Sequence, residues 1–277
     1  MNVLVIGGSR NVGYYAAQRL LANNATVTFL LRNKSSFDND ESMKPYIASG
    51  KARIVEGDAL KETDVQRAWD AAANAKDGHV DLMLFTVGGT GKFSLTKGLV
   101  LDTADLCTRC MLNVLRTMPR TSPQPKIILV SAAGLTKSSH ASLPLALQPM
   151  YSYLIASPHL DKLGMERAIA HSAGWKWEEG EPEPKENILP NGWTDRLPEP
   201  GTLKSVLVLR PALFTDGKCK ADELMAKGDG KGKAYRVSEQ DLSSSYTISR
   251  RDVAHFIVED AIAHWDNWEG KCTRMAY

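Results

Sequence analysis

The sequence predicts an α/β protein with a doubly wound parallel sheet, and three observations support this. Short apolar runs rich in β-formers alternate with longer segments whose apolar residues recur at spacings of three and four. The runs carry few polar residues, as expected when helices cover both faces of a parallel sheet. The first run passes directly into a glycine-rich turn at residues 7–13. We expect one domain over residues 1–277, with a small substrate-side portion at its C-terminal end.

The predicted elements follow one another along the chain. Strands are expected at residues 3–6, 26–31, 53–55, 82–86, 127–131 and 205–210. Helices are expected at residues 12–23, 62–75, 99–118, 158–173 and 250–265. A segment rich in proline and glutamate, at about residues 178–204, leaves a helix and enters a strand. We expect it to be an inserted loop or hairpin at the amino ends of the sheet, forming an interaction surface rather than core.

Charge and cysteine content exclude several classes of protein. The 34 basic and 32 acidic residues nearly cancel, so we expect no nucleic-acid partner. The apolar runs are too short to span a bilayer, so no membrane is expected. The four cysteines are too few for a disulfide framework, and no signal segment precedes the first strand, which favours a cytoplasmic protein. Cys107 and Cys110 form C-x-x-C without a second pair, so we predict no metal site.

The turn at residues 7–13 predicts a nucleotide-binding site. Gly7 permits a tight turn after the first strand, and Gly13 lets the following helix pack closely on the sheet. The N–H groups at the helix start would then face a diphosphate. Its place after the first strand favours a dinucleotide over a turn without ligand, although the middle glycine is absent. The predicted cofactor contacts in this turn are Gly7, Ser9, Arg10, Asn11, Val12 and Gly13.

The end of the second predicted strand indicates which dinucleotide would bind. An acidic residue at this point would accept hydrogen bonds from the ribose 2′-hydroxyl of NAD, but Arg32 stands there instead. With Lys34 close by and Arg10 in the turn, cations would converge on a 2′-phosphate. We therefore predict NADP(H) as the cofactor. The alternative is that Arg32 and Lys34 are solvated residues at a strand end.

Five further segments resemble a known family in content and order. After IGGSRNVG in the turn come EGDALKETDV (56–65), LFTVGGTG (84–91), IILVSAAG (127–134), VLRPALFTDGK (208–218) and YTISRRDVAHFIV (246–258). Together they resemble the atypical short-chain dehydrogenase/reductases, in the NmrA-like or NAD(P)H-binding branch. The resemblance implies a Rossmann fold. It also implies cofactor contacts at Asp58, Ala59, Val87, Gly88, Lys162 and Pro211.

The catalytic residues of the family match this chain only in part. The resemblance implies an active-site serine at Ser131 and a lysine at Lys162, which would hold the nicotinamide ribose. Four residues before the lysine, where the family has its tyrosine, stands Pro158, which has no proton to give. We expect a helix capped by Ser157 with the proline in its first turn. An ion pair with Glu166, four residues on, is the alternative role for Lys162.

Other groups are candidates for the proton donor. Tyr151 and Tyr153 precede the lysine helix, and we take Tyr153 as the catalytic candidate, although both tyrosines fit a core role as well. His140 and His159 lie nearby. Water or a proton of the substrate itself is a further source, because the cofactor carries the hydride chemistry.

We expect an NADPH-dependent oxidoreductase acting on a small carbonyl, quinone or related acceptor. The first alternative is a binding protein that senses the redox state of NADP(H) without turnover, as NmrA-like members do. An epimerase or isomerase that uses the cofactor transiently is the second. The small-molecule substrate is one expected partner. A second copy of the chain, docked on the helix at 99–118, is a candidate for a homodimer.

Overall fold

Across the described residues, eight strands form one central sheet with helices on both faces. The computed structural model describes the whole chain except residues 76–77, 97, 121–122, 142–147, 178–180, 182 and 229–233. The strands of this sheet are β1 (Asn2–Ile6), β2 (Thr26–Leu31), β3 (Ala52–Glu56), β4 (Leu82–Phe85), β7 (Lys126–Val130), β8 (Val206–Pro211), β10 (Arg236–Ser238) and β12 (Lys271–Ala276). They stand in the order β10-β12-β8-β7-β4-β1-β2-β3 across the sheet. All neighbours are parallel except β10 and β12.

The remaining strands form two small sheets beside the carboxyl edge. The strands β5 (Gly91–Ser94) and β6 (Gly98–Leu101) pair antiparallel, and β9 (Leu213–Thr215) pairs parallel with β11 (Thr247–Ser249). The helices are α1 (Asn11–Ala22), α2 (Lys44–Ala48), α3 (Glu62–Ala73), α4 (Leu106–Thr117), α5 (Lys137–Ala141), α6 (Gln148–Tyr153), α7 (Ala156–Ala173), α8 (Lys220–Ala226) and α9 (Arg250–His255). Within the described residues, every helix is too short or too polar to cross a membrane.

The strand order reverses between β1 and β4. The chain builds β1, β2 and β3 outward on one side, then returns to place β4, β7 and β8 on the other. The loops after β1 and β4 therefore part at the carboxyl edge and leave a crevice, which is where open α/β sheets bind ligands. This confirms the predicted doubly wound, Rossmann-type fold.

Alternate residues of the central strands pack into two apolar layers, one on each face of the sheet. Val3 and Val5 of β1 face the layer covered by α1 and α9, whereas Leu4 and Ile6 face the layer covered by α3, α4 and α7. Both layers exclude solvent, since Phe29 in the first and Trp69 in the second are 1% exposed or less. This two-sided burial explains why the central strands read as continuous apolar runs.

Two of the predicted helices are wrong in extent. Residues 98–101 are strand, because Gly98 adopts a positive φ of 68° and turns the chain into the β5–β6 hairpin. The helix therefore begins at Leu106 rather than at residue 99. The segment predicted as one helix at 250–265 is broken into α9, a π-helical turn at Phe256–Ala261 and a 3-10 turn at Trp265–Asn267.

The start of α7 also differs from the prediction. The Ile155 carbonyl already accepts the His159 N–H at 3.0 Å, so Ile155 is the N-cap residue. Ser157 therefore lies inside the first turn and does not cap the helix. Pro158 lies in that first turn, as predicted, where its missing N–H breaks no intrahelical bond.

The described part of the segment at 178–204 packs over the helices α4 and α7. We expected the segment to form a surface outside the core, and this is wrong for its described part. Its apolar residues Ile188, Leu189, Leu197 and Leu203 are all buried, and the last three join the layer of α4 and α7. Arg116 of α4 donates hydrogen bonds at 3.2 Å to the carbonyls of Trp193 and Asp195. Burial of these apolar side chains favours packing of the proline-rich segment on the helices rather than its extension into solvent. Residues 178–180 and 182 lie outside the described part.

A buried ion pair joins α7 to the sheet. Arg210 of β8 donates from Nη2 to Glu166 Oε2 at 2.5 Å and from Nε to both carboxylate oxygens at 3.1 and 3.2 Å. The two side chains are 4% and 5% exposed. Glu166 therefore pairs with Arg210, and the alternative role of Lys162, an ion pair with Glu166, is not what the structure shows. Loss of Glu166 would take these charge-assisted hydrogen bonds away from a buried guanidinium.

Replacing Glu166 by alanine should lower the free energy of unfolding by about 3–5 kcal/mol, because the buried Arg210 guanidinium would lose the hydrogen bonds that it donates to this carboxylate. Urea unfolding followed by circular dichroism measures this. Glu41→Ala is the matched control, since Glu41 forms an exposed pair with Lys44 and its loss should cost at most about 1 kcal/mol. Equal effects of the two substitutions would contradict the assigned role of the buried pair.

Candidate functional site

A cleft of about 360 Å³ opens at the carboxyl edge of the sheet, where the strand order reverses. The loops that follow β1, β2, β3 and β4 form one part of its wall. The first half of α4, the middle of α7 and the β9–β11 region form the rest. This is the place at which an open α/β sheet is expected to hold its ligand.

Most of the predicted cofactor residues lie together in this cleft. They are Gly7, Ser9, Arg10, Asn11, Val12, Arg32, Asp58, Ala59, Val87, Gly88 and Lys162. Gly13 and Pro211 do not line it. Gly13 lies in the first turn of α1, and Pro211 is the last residue of β8, with its carbonyl accepting the Ala133 N–H at 2.8 Å. Pro211 is therefore held at the carboxyl end of β8 and does not face the cleft.

The glycine turn is set by its close approach to the end of β4. Gly7 has a positive φ of 91°, and a Cβ there would lie 2.6 Å from the Thr86 carbonyl carbon and the Val87 nitrogen. A Cβ on Gly13 would lie 2.2 Å from Thr86 Oγ1. The Thr86 hydroxyl donates a 2.9 Å hydrogen bond to the Gly7 carbonyl. Only glycine allows this approach at both positions, and α1 consequently starts directly over the crevice.

The start of α1 presents backbone donors to the cleft. Arg10 is the N-cap residue with an extended backbone, and no side chain caps the helix. Asn11 has a φ of 58°, in the left-handed region that a non-glycine residue seldom occupies. Such strain is typical of ligand-binding turns, and uncapped N–H groups at a helix start suit an anion. The residues present therefore fit the diphosphate of a dinucleotide.

Two arginines give the same cleft a positive charge. Arg10 and Arg32 both line it, and neither has an ion-pair partner among the described residues. Lys34, which we expected to join them, begins an exposed 3-10 turn and is not part of the lining. Of the three cations expected to converge on a 2′-phosphate, the guanidinium groups of Arg10 and Arg32 line the cleft.

The loop after β3 is held in place by hydrogen bonds. Asp64 of α3 accepts the Asp58 N–H at 2.8 Å, and Asp58 Oδ1 accepts the Leu60 N–H at 3.0 Å. The Asn113 side chain on α4 donates to the Ala59 carbonyl at 2.9 Å. Asp58 and Ala59 therefore form a fixed wall of the cleft.

Lys162 lines the cleft at its β7 end, whereas Ser131, the residue that follows β7, is not part of the lining. Lys162 Nζ donates a 2.9 Å hydrogen bond to the carbonyl of Val130, the residue before Ser131. The Ser131 N–H is bound to the Leu209 carbonyl at 2.7 Å, but its hydroxyl has no hydrogen-bond partner among the described residues. Ser131 is only 1% exposed. A buried hydroxyl without a partner is costly, and a group bound next to it would complete its bonding.

The structure does not bring Tyr153 to the cleft. Its hydroxyl donates a hydrogen bond to the carbonyl of Leu95 in the turn of the β5–β6 hairpin. Its side chain is 39% exposed, and it is not part of the cleft lining. Tyr153 is thus not among the residues that the structure brings together in the cleft, because its hydroxyl is bound to the hairpin. The side chain of Tyr151 lies outside the described part.

The two histidines are not placed as proton donors. Burial, with a smaller contribution from the nearby positive charge of Lys162, lowers the pKa of His159 to about 4. His159 is therefore neutral at pH 7, with no labile second ring proton to donate. The His140 Nε2 lies 2.9 Å from the Ser152 hydroxyl, and His140 is not part of the cleft lining.

Sequence reasoning missed several lining residues. Arg250 and Phe214 complete the cleft from the β9–β11 sheet, and Leu106 and Cys110 complete it from α4. Cys110 is 1% exposed, and burial raises the pKa of its thiol, so it contributes packing rather than a nucleophile. The signal for Arg250 was its place in YTISRRDVAHFIV, one of the segments that resemble the family.

The fold and the cleft define a Rossmann-type dinucleotide-binding protein. The chain belongs to the NAD(P)H-binding family, whose family model matches residues 7–177. This confirms the resemblance to the NAD(P)H-binding branch that the sequence motifs indicated.

The chain is also similar to individual proteins, to some in sequence and to others in fold. Reductase pytE of Aspergillus terreus is 27% identical over 233 residues, covering 81% of this chain and 77% of pytE. The fold is similar to that of ChuY, an anaerobillin reductase from Escherichia coli O157:H7, with a TM-score of 0.57, 15% identity and coverage of 99% and 96% of the two chains. It is also similar to yeast methylglyoxal/isovaleraldehyde reductase Gre2, solved with NADPH, with a TM-score of 0.56, 13% identity and coverage of 98% and 77%.

Replacing Gly13 by alanine should lower the free energy of unfolding by about 1–3 kcal/mol, because the new Cβ would overlap Thr86 Oγ1 and push α1 away from β4. Thermal and urea unfolding measure this change. Gly88→Ala is the control for stability, since a Cβ there meets open space and should change the free energy by less than about 0.5 kcal/mol. A Gly13→Ala protein as stable as the wild type would contradict the close approach.

Proposed function

We propose that the protein is an NADPH-dependent reductase of a small carbonyl, quinone or related acceptor. The observation that carries the proposal is one cleft whose lining contains Arg10 and Arg32 and, at its β7 end, Lys162 bound to the Val130 carbonyl. Membership in the NAD(P)H-binding family and the reductase name of the relative pytE support it. Catalysis would occupy the end near β7, with the adenosine at the end near β2.

The proposed cofactor is NADP(H) rather than NAD(H). Arg32 follows β2 where an acidic residue would select the ribose 2′-hydroxyl, and a guanidinium binds a 2′-phosphate through paired hydrogen bonds. Arg10 stands at the start of α1 in the same cleft. Asp58 and Ala59 would contact the adenine, and Val87 and Gly88 would lie under the cofactor.

The residues near β7 would orient the acceptor. Bound NADPH would supply a hydride, and one proton added to the acceptor oxygen completes its reduction to an alcohol or hydroquinone. The Ser131 hydroxyl would donate a hydrogen bond to that oxygen, which gives it the partner that it lacks. Lys162, anchored on the Val130 carbonyl, would hold the nicotinamide ribose and keep a positive charge beside the developing oxyanion.

The absence of a phenol favours certain acceptors. Pro158 replaces the tyrosine, and the described cleft lining contains neither tyrosine nor histidine. The proton would therefore come from water or from the acceptor itself. We infer that acceptors whose reduced form is a stabilised anion, such as quinones, suit the site better than simple aliphatic ketones.

The same observation favours a second candidate, a protein that binds NADP(H) and senses its redox state without turnover. Such a protein needs the cofactor residues but no proton donor. The two candidates differ in one measurement. Steady oxidation of NADPH with any member of a carbonyl and quinone panel supports the reductase, whereas tight binding without oxidation supports the sensor.

Replacing Arg32 by alanine should raise the Kd for NADPH by about tenfold or more and that for NADH by less than about threefold, because only NADPH carries the 2′-phosphate. Arg10→Ala should act in the same direction. Fluorescence titration at fixed ionic strength measures both constants. Lys34→Ala is the control and should leave both unchanged, since Lys34 is outside the cleft lining. Equal losses for the two cofactors would contradict the selection of NADP(H) by these arginines.

Replacing Lys162 or Ser131 by alanine should lower kcat/KM by about 10²–10³-fold with an acceptor that the wild type reduces, because charge and hydrogen bonding at the acceptor oxygen are lost. Tyr153→Phe should retain the wild-type rate, since its hydroxyl is bound to the hairpin. Steady-state assays of NADPH oxidation measure these rates. A large loss of kcat/KM in Tyr153→Phe, with no loss in Ser131→Ala, would assign the catalytic role to Tyr153 instead of Ser131.

A further inference from the structure

Arg250 is a cation of the cleft that the family resemblance did not identify. It is the first residue of α9, directly after β11, and its side chain is 22% exposed. The pairing of β11 with β9 places it beside Phe214 on the wall of the cleft. Arg250 therefore enters the site from the face of the sheet that carries α1 and α9.

The present contacts of Arg250 hold it loosely. Its Nη1 donates to Asp216 Oδ1 at 2.7 Å, and its guanidinium lies 5.1 Å from the centre of the Phe214 ring. The Asp216 side chain is 79% exposed, and an ion pair with so exposed a carboxylate is weak. Asp216 is the one hydrogen-bond acceptor that the described residues give Arg250, so most of its five N–H donors are available.

The packing of α9 on α1 brings Arg250 toward the start of α1. The neighbouring Arg251 lies over the Tyr15 ring of α1, 4.3 Å from its centre. Both helices begin at the carboxyl edge of the sheet, and Ser9, Arg10 and Asn11 line the same cleft as Arg250. The start of α1 presents uncapped N–H groups there. A guanidinium on the opposite wall would complete a binding site for a diphosphate.

We propose that Arg250 binds the diphosphate of the dinucleotide and exchanges its contact with Asp216 for the phosphate oxygens when the cofactor binds. Asp216 then returns to solvent at little cost because it is already exposed. The inference rests on the proposed binding of NADP(H), but it assigns Arg250 to the part of the cofactor that NADPH and NADH share. Arg250 thus adds affinity without selecting between them, unlike Arg32.

The test compares Arg250→Gln with the wild type in titrations of NADPH and of NADH. The loss of charge-assisted hydrogen bonds should raise both Kd values about ten- to a hundredfold and leave their ratio unchanged. Arg251→Gln is the matched control, because Arg251 stacks on Tyr15 outside the cleft lining, and it should change neither Kd by more than about twofold. If the wild type binds neither nucleotide, the proposed function fails rather than the role of Arg250.

Other results would overturn the proposal. Unchanged Kd values with a raised KM for the acceptor would place Arg250 on an anionic substrate instead. A loss confined to NADPH would place it on the 2′-phosphate. If the Arg250→Gln variant does not fold, the Arg250→Lys variant is the deciding test. Lysine keeps the positive charge but lacks the planar guanidinium with its paired donors. This variant should raise both Kd values about three- to tenfold, and unchanged values would count against the diphosphate contact.

Discussion

Thr86, at the end of β4, donates a hydrogen bond to the Gly7 carbonyl at 2.9 Å and packs against Gly13 with no room for a side chain. This contact fixes the first turn of α1 at the point where the strand order reverses. The two glycines are needed because backbone and hydroxyl occupy the space that a Cβ would take. The direction of α1, and with it the free N–H groups at its start, depends on this approach. The missing middle glycine matters less, because Gly7 and Gly13 are the residues that contact Thr86.

Two buried aspartates fix the side walls of the cleft in similar ways. Asp161 on α7 accepts the N–H groups of Cys107 and Thr108 at 2.8 and 2.9 Å and so caps α4 from another helix. Burial raises the pKa of its carboxyl group. The next residue along the chain is Lys162. A cap of this kind holds α4 and α7 together, so the lysine on one helix keeps its place relative to the wall formed by the other.

Asp252 on α9 plays the matching role on the opposite face. It accepts the Ala221 N–H at the start of α8 at 3.0 Å and the Tyr277 hydroxyl at 2.6 Å. Burial opposes ionisation, but these hydrogen bonds outweigh it and lower the pKa of the carboxyl group. Arg250 lies two residues earlier on the same helix. Lys162 and Arg250 therefore each stand close in sequence to a buried carboxylate that anchors the helix, which fixes the backbone from which these flexible side chains extend.

The sequence by itself determined the strand and helix alternation, the glycine turn and the arginine after the second strand, because spacing and glycine geometry are local properties. Tertiary structure alone decided which residues meet. Glu166 pairs with Arg210 rather than with Lys162, Tyr153 faces a hairpin, and Arg250 reaches the cleft. Each of these contacts joins residues that lie more than 30 positions apart in the chain. The hairpin that Tyr153 faces also contains β6, a strand inside a segment with helical spacing. Local periodicity carries no information about such partners, because long-range packing selects them.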